Sequence, residues 1–462
     1  MTVADPPLNP SVQWLLVATA AFSLSAVIDY PVTSVLASCV ALVAIVFALR
    51  GAPFFAVDHG VLGGLLAFVV VVVANTQVMG RFSVQAGSYR LWVVLALTSG
   101  VVAALSGRMP IRNLAVLLAL GTLIVGSLSI LIPNWQPTAS SDVYRAHVAA
   151  GNALREGENP YSDAVVFESG DPNRPDGTLV EGYPYPPPVL LGYGFLATFT
   201  DPRVISFVSW LALALGLSVL AMKPGSTGSM AFAVLILVAT MPIWRMSLFM
   251  SWTEPLSVAL MAGSLVGIWR GRRWGWFLLG IALASKQYLV FLAPVVLLYR
   301  DGDGKRPGWV SMGTAAVVAG FPASFGVSDY YNSVIGNALD IGFRPDTQSI
   351  NGAIAVLGGE LLLPSLVLLP LFAGIWLALR KMNLPRAMLP AAGVASLSAA
   401  LLVTSAFPNY WILVAALSGL SALIGMTDDK DRWGEPPETS RGEMDVSISG
   451  HQVTDDPMPR DL

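Results

Sequence analysis

The feature that most constrains this chain is a succession of apolar runs, each close to the length a bilayer demands. They cover residues 12–29, 32–49, 61–79, 91–106 and 113–132, and then 203–222, 229–243, 254–269, 274–299, 309–327, 354–379, 387–404 and 408–425. A helix that crosses the hydrocarbon core needs roughly 20 mostly apolar residues, and it must satisfy its own backbone hydrogen bonds because no water is there to do so. Only 12% of the residues are charged, against about 25% in soluble domains. The chain is therefore an all-α polytopic membrane protein. The first run lacks a basic leader and a cleavage site, so it is a retained span rather than a removed signal peptide. A net charge of −3 gives no basic field for a nucleic-acid partner. The single cysteine, Cys39, excludes an intramolecular disulfide, and three scattered histidines offer no zinc site.

Orientation follows from lysine and arginine in short loops, which stay cytoplasmic. The densest basic loops are "RGRR" at 270–273, "YRDGDGKR" at 299–306 and "RKMNLPR" at 380–386. Run 274–299 then has cytoplasmic flanks on both sides, yet it is too short for two full spans. Two half-length helices meeting inside the membrane resolve the conflict, with the break at Ser285-Lys286-Gln287. Irregular backbone at that depth is tolerated where protein or a wet cavity surrounds it. Run 187–200 is also short, reaching only about 21 Å as a helix; it dips in and returns. The count is about twelve crossings plus the partial re-entrant helices, with both termini cytoplasmic. Loops 133–186, 244–253, 328–353 and 405–408 then face the extracytoplasmic side of the cell membrane.

Four regions result: a five-span segment at 1–132, an outer loop with an interfacial helix and a re-entrant piece at 133–202, a second bundle at 203–426, and an acidic tail at 427–462 whose Pro, Gly and Ser content reads as disordered. No internal repeat is evident.

The outer loops carry the polar chemistry. "SSDVYRAHVAAGNALREGENPY" (140–161) predicts a helix capped by Ser140 or Ser141 and closed by Gly157, too polar to span and suited to the interface. Its small-residue face holds Ala146, Ala149, Ala150 and Ala153, and its charges include Asp142 and Arg145. Tyr161, Tyr183 and Tyr185 are of the type that lies at headgroup level. "FRPDTQSING" brings Arg344, Asp346, Gln348, Ser349 and Asn351, and "WRMSLFMSWTEP" brings Arg245 and Glu254. Acids and arginines thus gather on one side of the membrane. That suits an enzyme acting on a lipid-borne substrate: a carboxylate accepts the proton of an attacking hydroxyl, and cations neutralise a phosphate leaving group.

The pieces "SDVYRAHVAAGNALREGENPY", "YPYPPP", "GWFLLGIALASKQYLVFLAPVVLL" and "DTQSING" together resemble the GT-C superfamily of membrane glycosyltransferases. More narrowly, the chain is similar to glycosyltransferase family 87, over roughly residues 135–425. The resemblance implies a GT-C-like bundle with an outward cavity, a polyprenyl-phosphate sugar donor, a glycolipid or glycan acceptor, transfer with inversion, and no metal or other cofactor. It makes Asp142 the candidate general base. Family members often carry a histidine motif near the last outer loop, where this chain reads "SAFPNYWILV" with Asn409 and Tyr410.

Each candidate has a plainer role beside the functional one. Asp142 could simply favour a helix N-terminus. Lys286 contacts the donor phosphate or pairs with a buried carboxylate. Arg344 binds phosphate or anchors a loop to headgroups. Glu254 serves a polar site or caps its span. Arg145 touches phosphate or pairs with Asp142. Gln348, Ser349 and Asn351 orient the donor or cap the next helix. Tyr161, Tyr185 and Asn409 complete the substrate-binding set, and His147 is read as structural. The competing function is a transporter or flippase of lipid-linked sugars, which the broken helix favours and the missing repeat disfavours.

Overall fold

The computed structural model describes residues 10–26, 31–50, 52–53, 94–95, 98, 109–132, 141–168, 179–222, 228, 231–232, 234–236, 242–300, 304–324, 326–336, 347–358, 377, 389–403 and 408–428. The expected span at 61–79, nearly all of those at 91–106 and 354–379, the tail beyond 428, Ser140, Arg344 and Asp346 lie outside the described residues.

The helices are α1 (Pro10–Ser25), α2 (Pro31–Leu49), α3 (Met109–Leu131), α4 (Asp142–Glu156), α5 (Pro187–Ala197), α6 (Arg203–Ala221), α7 (Pro242–Phe249), α8 (Glu254–Trp269), α9 (Trp274–Leu283), α10 (Ala293–Leu298), α11 (Gly308–Gly320), α12 (Ile350–Val356), α13 (Leu389–Val403) and α14 (Pro408–Asp428). Several begin on proline, whose fixed φ suits the first helical turn and whose missing N–H would have no partner there. Three of them, α2, α3 from Pro110, and α6, are long and apolar enough to cross a membrane. A stripe of exposed Leu36, Val40, Val43 and Val46 on α2, with Cys39 also exposed, suits contact with lipid.

Two apolar clusters organise the molecule. The larger joins α1, α2, α3, α6, α8, α9, α13 and α14. Its buried hydroxyls are satisfied inside the helices: Thr19 donates to the carbonyl of Leu15, Ser127 to that of Leu123, and Ser421 to that of Leu417. Some also cross between helices, as Ser25 does to Ser38 and Thr19 to Ser418. Close crossings use glycine. A Cβ on Gly275 of α9 would lie 2.5 Å from the backbone nitrogen of Ile268 on α8. The smaller cluster lies beside the bundle and gathers Ala146, Ala150, Tyr161, Phe167, Val180, Tyr183, Val189, Leu190, Tyr193 and Val334.

The loop around α4 holds more than the expected helix. Val166–Glu168 (β1) and Leu179–Glu181 (β2) form an antiparallel ribbon, Phe167 opposite Val180. Both segments alternate, so Phe167 and Val180 turn into the small cluster while their neighbours face out. Run 274–299 divides where the charge pattern required it. Helix α9 ends at Leu283, Lys286 is extended (φ −149, ψ 138), and a 3₁₀ segment resumes at Gln287 before α10. Residues 187–197 form one short helix with a π turn at Leu190–Gly194.

Candidate active site

Helix α4 carries Asp142 at its first position. Ser141 is the N-cap residue, but its hydroxyl donates to the carbonyl of Met250 at 2.8 Å instead of capping. Asp142 takes over that work: its Oδ1 accepts the N–H of Val143 at 2.7 Å. The carboxylate is half-buried and sits at the positive end of the helix dipole. Gly157 closes the helix at φ 77, where glycine has no Cβ to clash. The small face packs on α5 so tightly that a Cβ on Gly151 would lie 2.9 Å from both the Gly194 oxygen and the Ala197 Cβ.

The second half of the site comes from the break. Lys286 Nζ lies 2.8 Å from Glu254 Oε1, and both side chains are buried. The hydroxyl of Tyr288 donates to the same oxygen at 3.2 Å. The ammonium also lies over the rings of Tyr185, Tyr288 and Tyr410, 5.2, 5.6 and 5.8 Å from their centroids, where the ring faces attract it. Neighbouring contacts hold the break in place. Ser285 shares a hydrogen bond with Ser257 of α8 at 2.8 Å, and Gln287 Nε2 donates to the carbonyl of Pro184 at 3.0 Å. The broken helix is thus tied to the Pro-Tyr-Pro segment that carries Tyr185.

Tyr185 joins the two halves. Burial pushes its hydroxyl well above the ordinary tyrosine range, and the carboxylates of Asp142 and Glu254 push it further. Both acids therefore act on one phenol. Tyr161 and Tyr183, expected from the sequence to sit at headgroup level, do not present their rings at the protein surface. They are fully buried in the small cluster, Tyr161 edge-on to Tyr183 and Tyr183 edge-on to Tyr185, because the ribbon and α5 close over them. The Tyr161 hydroxyl donates to the Tyr185 carbonyl at 3.3 Å.

His147 is completely buried, stacked on Tyr193 at 4.6 Å between ring centroids. Its Nε2 faces the carbonyl of Ser251 at 3.2 Å, and its Nδ1 faces the Tyr183 hydroxyl at 2.8 Å. A carbonyl only accepts, so Nε2 carries the proton and Nδ1 accepts from Tyr183. Desolvation, with a smaller push from Lys286, lowers its pKa to about 3, so the ring stays neutral.

Of the residues singled out by sequence, Glu254, Lys286 and Tyr185 come together, Asp142 reaches Tyr185 through its charge, and Tyr161 bonds the Tyr185 carbonyl. Arg145 turns outward to Glu168 Oε2 at 2.9 Å, on the β1 strand, rather than to Asp142. Arg245 reaches the Ser129 hydroxyl of α3. Gln348 is buried in the turn before α12, where Ser349 accepts the N–H of Gly352 and so caps that helix. Asn409 lies in the first turn of α14. Sequence reasoning missed Tyr288 and the part Tyr410 plays, and it missed the buried Asp201–Arg203 ion pair at the start of α6. Arg203 also lies over the ring of Tyr144.

Residues 183–408 match the model of glycosyltransferase family 87. No curated protein and no solved structure matches the chain.

Proposed function

We propose that this chain, whose residues 183–408 are similar to glycosyltransferase family 87, is an integral-membrane glycosyltransferase that uses a polyprenyl-phosphate sugar at the extracytoplasmic face. The match itself supports a glycosyltransferase; donor, acceptor and face are this reading's own. The observation that carries it is that Tyr185 feels the charge of the half-buried Asp142 carboxylate while the buried Lys286 ammonium, paired with Glu254, lies over its ring. In the proposed reaction the acceptor hydroxyl attacks the anomeric carbon from the face opposite the phosphate. The new C–O bond forms as the C–O bond to phosphate breaks, which inverts the centre. Asp142 takes the hydroxyl proton, and the polyprenyl phosphate departs with its charge facing Lys286. Arg344, Gln348 and Asn409 are proposed to complete the donor side, with Tyr161 backing Tyr185. Arg145 is the weakest member of the set, since Glu168 already holds it.

Asp142 lies outside the matched segment, so its role is the first to test. Purified protein supplied with polyprenyl-phosphate sugars and membrane glycolipids should transfer sugar, and Asp142→Asn should abolish turnover while leaving thermal unfolding unchanged. Full activity in that variant removes Asp142 as the base. A protein that instead moves the intact lipid-linked sugar between leaflets without transfer would be the transporter, a reading the family match does not support.

A further inference from the structure

The backbone of the turn between α7 and α8 is tied to other segments, although the buried hydroxyls of Ser251 and Thr253 make no hydrogen bond. Among the described residues, Ser251 is the one non-glycine residue with a positive φ, 57°, in the left-handed region where a Cβ is strained. Three successive carbonyls of this turn are bonded by side chains from other segments. Met250 O accepts from the Ser141 hydroxyl at 2.8 Å, Ser251 O from His147 Nε2 at 3.2 Å, and Trp252 O from the Tyr193 hydroxyl at 3.0 Å and the Ser206 hydroxyl at 3.3 Å. The amides are committed as well: Met250, Ser251 and Trp252 donate to the carbonyls of Met246, Leu248 and Ser247. Strained backbone persists only where its surroundings over-determine it, and such sites concentrate where geometry serves function.

The location gives the strain a purpose. Two of the clamping groups, Ser141 and His147, bracket Asp142 on α4. Glu254, the counter-ion of Lys286, begins α8 immediately after the turn. His147 also receives the Tyr183 hydroxyl, two residues before Tyr185 of the ring box. One imidazole therefore touches both the turn leading to Glu254 and the segment leading to Tyr185, from the helix that carries Asp142.

We infer that His147 is a positioning residue: through its N–H to the strained Ser251 carbonyl it sets the separation between the Asp142 carboxylate and the Glu254–Lys286 pair. This rests on the proposed roles of Asp142 and Lys286. His147 touches no reacting atom. It holds two reacting halves in register, and a displacement of about 1 Å between such halves costs on the order of a hundredfold in rate.

The test uses full-length protein in lipid nanodiscs. His147→Leu removes the N–H. His147→Gln keeps one at nearly the same reach. Ser251→Gly relieves the left-handed strain without touching either half. Turnover is measured on polyprenyl phosphates bearing mannose, glucose or arabinose, beside thermal unfolding and amide hydrogen exchange of segment 250–254. His147→Leu should lower kcat by about tenfold to a hundredfold at an unchanged donor KM and speed exchange in that segment. His147→Gln should restore most of both. Ser251→Gly should unfold no earlier than the parent, yet exchange faster and turn over about tenfold more slowly. The inference is overturned if His147→Gln is as impaired as His147→Leu, if Ser251→Gly matches the parent in exchange and turnover, or if His147→Leu loses stability alone. Asp142→Asn run alongside separates the two readings: if it stays active the base assignment fails, whereas an inactive Asp142→Asn with a fully active His147→Leu overturns only the positioning role. Hydrogen exchange decides the positioning role whichever sugar is accepted.

Discussion

Lys286 Nζ and Glu254 Oε1 are 2.8 Å apart, with side-chain exposures of only 6% and 0%. The sequence left two roles open for Lys286, contact with a donor phosphate or pairing with a buried carboxylate, and the structure shows the second in place. The two are compatible in one cycle. Under the proposed function, a phosphate that reaches Lys286 competes with Glu254 for it.

That competition makes a prediction opposite to intuition for a binding-site acid. Glu254→Gln leaves Lys286 buried without its counter-ion, which costs about 3–5 kcal/mol and should lower the unfolding temperature. Undecaprenyl phosphate should then raise that temperature more in Glu254→Gln than in the parent, because the added anion restores the pairing and stabilises by mass action. The apolar double variant Glu254→Leu/Lys286→Met should be more stable than either single one and should lose the response to the lipid phosphate. A thermal-shift titration reads all of these. Equal responses in the parent and Glu254→Gln would remove phosphate from Lys286.

Tyr288→Phe separates the hydrogen bond from the ring. The ring still faces the ammonium, but the hydroxyl that donates to Glu254 at 3.2 Å is gone. The loss should be about 1.5–3 kcal/mol, the usual value for a bond to a charged acceptor. Tyr410→Leu removes ring area instead and should cost about 1 kcal/mol through the cation–π contact. Denaturant unfolding of both variants gives the comparison; a Tyr288→Phe variant as stable as the parent would mean that Tyr288 contributes only its ring.

The parts of this arrangement that were legible in the sequence share a physical cause. The break at Lys286 could be placed because two basic loops flank a run too short to return across a bilayer. Helix 142–156 could be placed because its ends carry local signals: Ser141 is the N-cap residue, though its hydroxyl bonds elsewhere, and Gly157 does end it. The box around Lys286 was not legible. Tyr185, Tyr288 and Tyr410 come from three segments far apart in the chain, and no spacing rule links them. For Arg145 the sequence offered a phosphate or an i,i+3 pairing with Asp142; the partner found, Glu168, is delivered by a ribbon that three-residue strands barely announce. Tyr161 and Tyr183 looked interfacial because tyrosine is amphipathic; only the packing of the ribbon and α5 shows that they are core.

His147 predicts an acid-sensitive fold. Its pKa is about 3 in the folded protein and about 6.5 in an unfolded chain, so between these values the unfolded state binds the extra proton. Stability from the neutral buried ring is complete above about pH 6.5 and is lost as pH falls toward 3, at up to about 1.4 kcal/mol per pH unit. His147→Leu should flatten the dependence of unfolding free energy on pH across that window, whatever it does to the absolute stability. Denaturant titrations at several values between pH 4 and 7 supply the slopes. An unchanged slope would mean that the imidazole is reached by water.

The approach of α4 to α5 sets where Asp142 stands. A Cβ at Gly151 would lie 2.9 Å from the carbonyl oxygen of Gly194 and 2.9 Å from the Ala197 Cβ, both parts of a packed helix rather than ends of flexible side chains. Gly151→Ala must therefore move one helix, at a cost of about 1–3 kcal/mol for an overpacked contact. The movement displaces the helix that carries Asp142, so under the proposed role of that carboxylate turnover should fall further than the loss of folded protein explains. Gly157→Ala, at φ 77 with nothing within 4 Å of the added Cβ, provides the contrast. It strains only the helix end and should cost about 1 kcal/mol, with turnover per folded molecule retained. Activity normalised to the folded fraction distinguishes the two. If Gly151→Ala keeps its specific activity, the α4–α5 contact does not position the carboxylate.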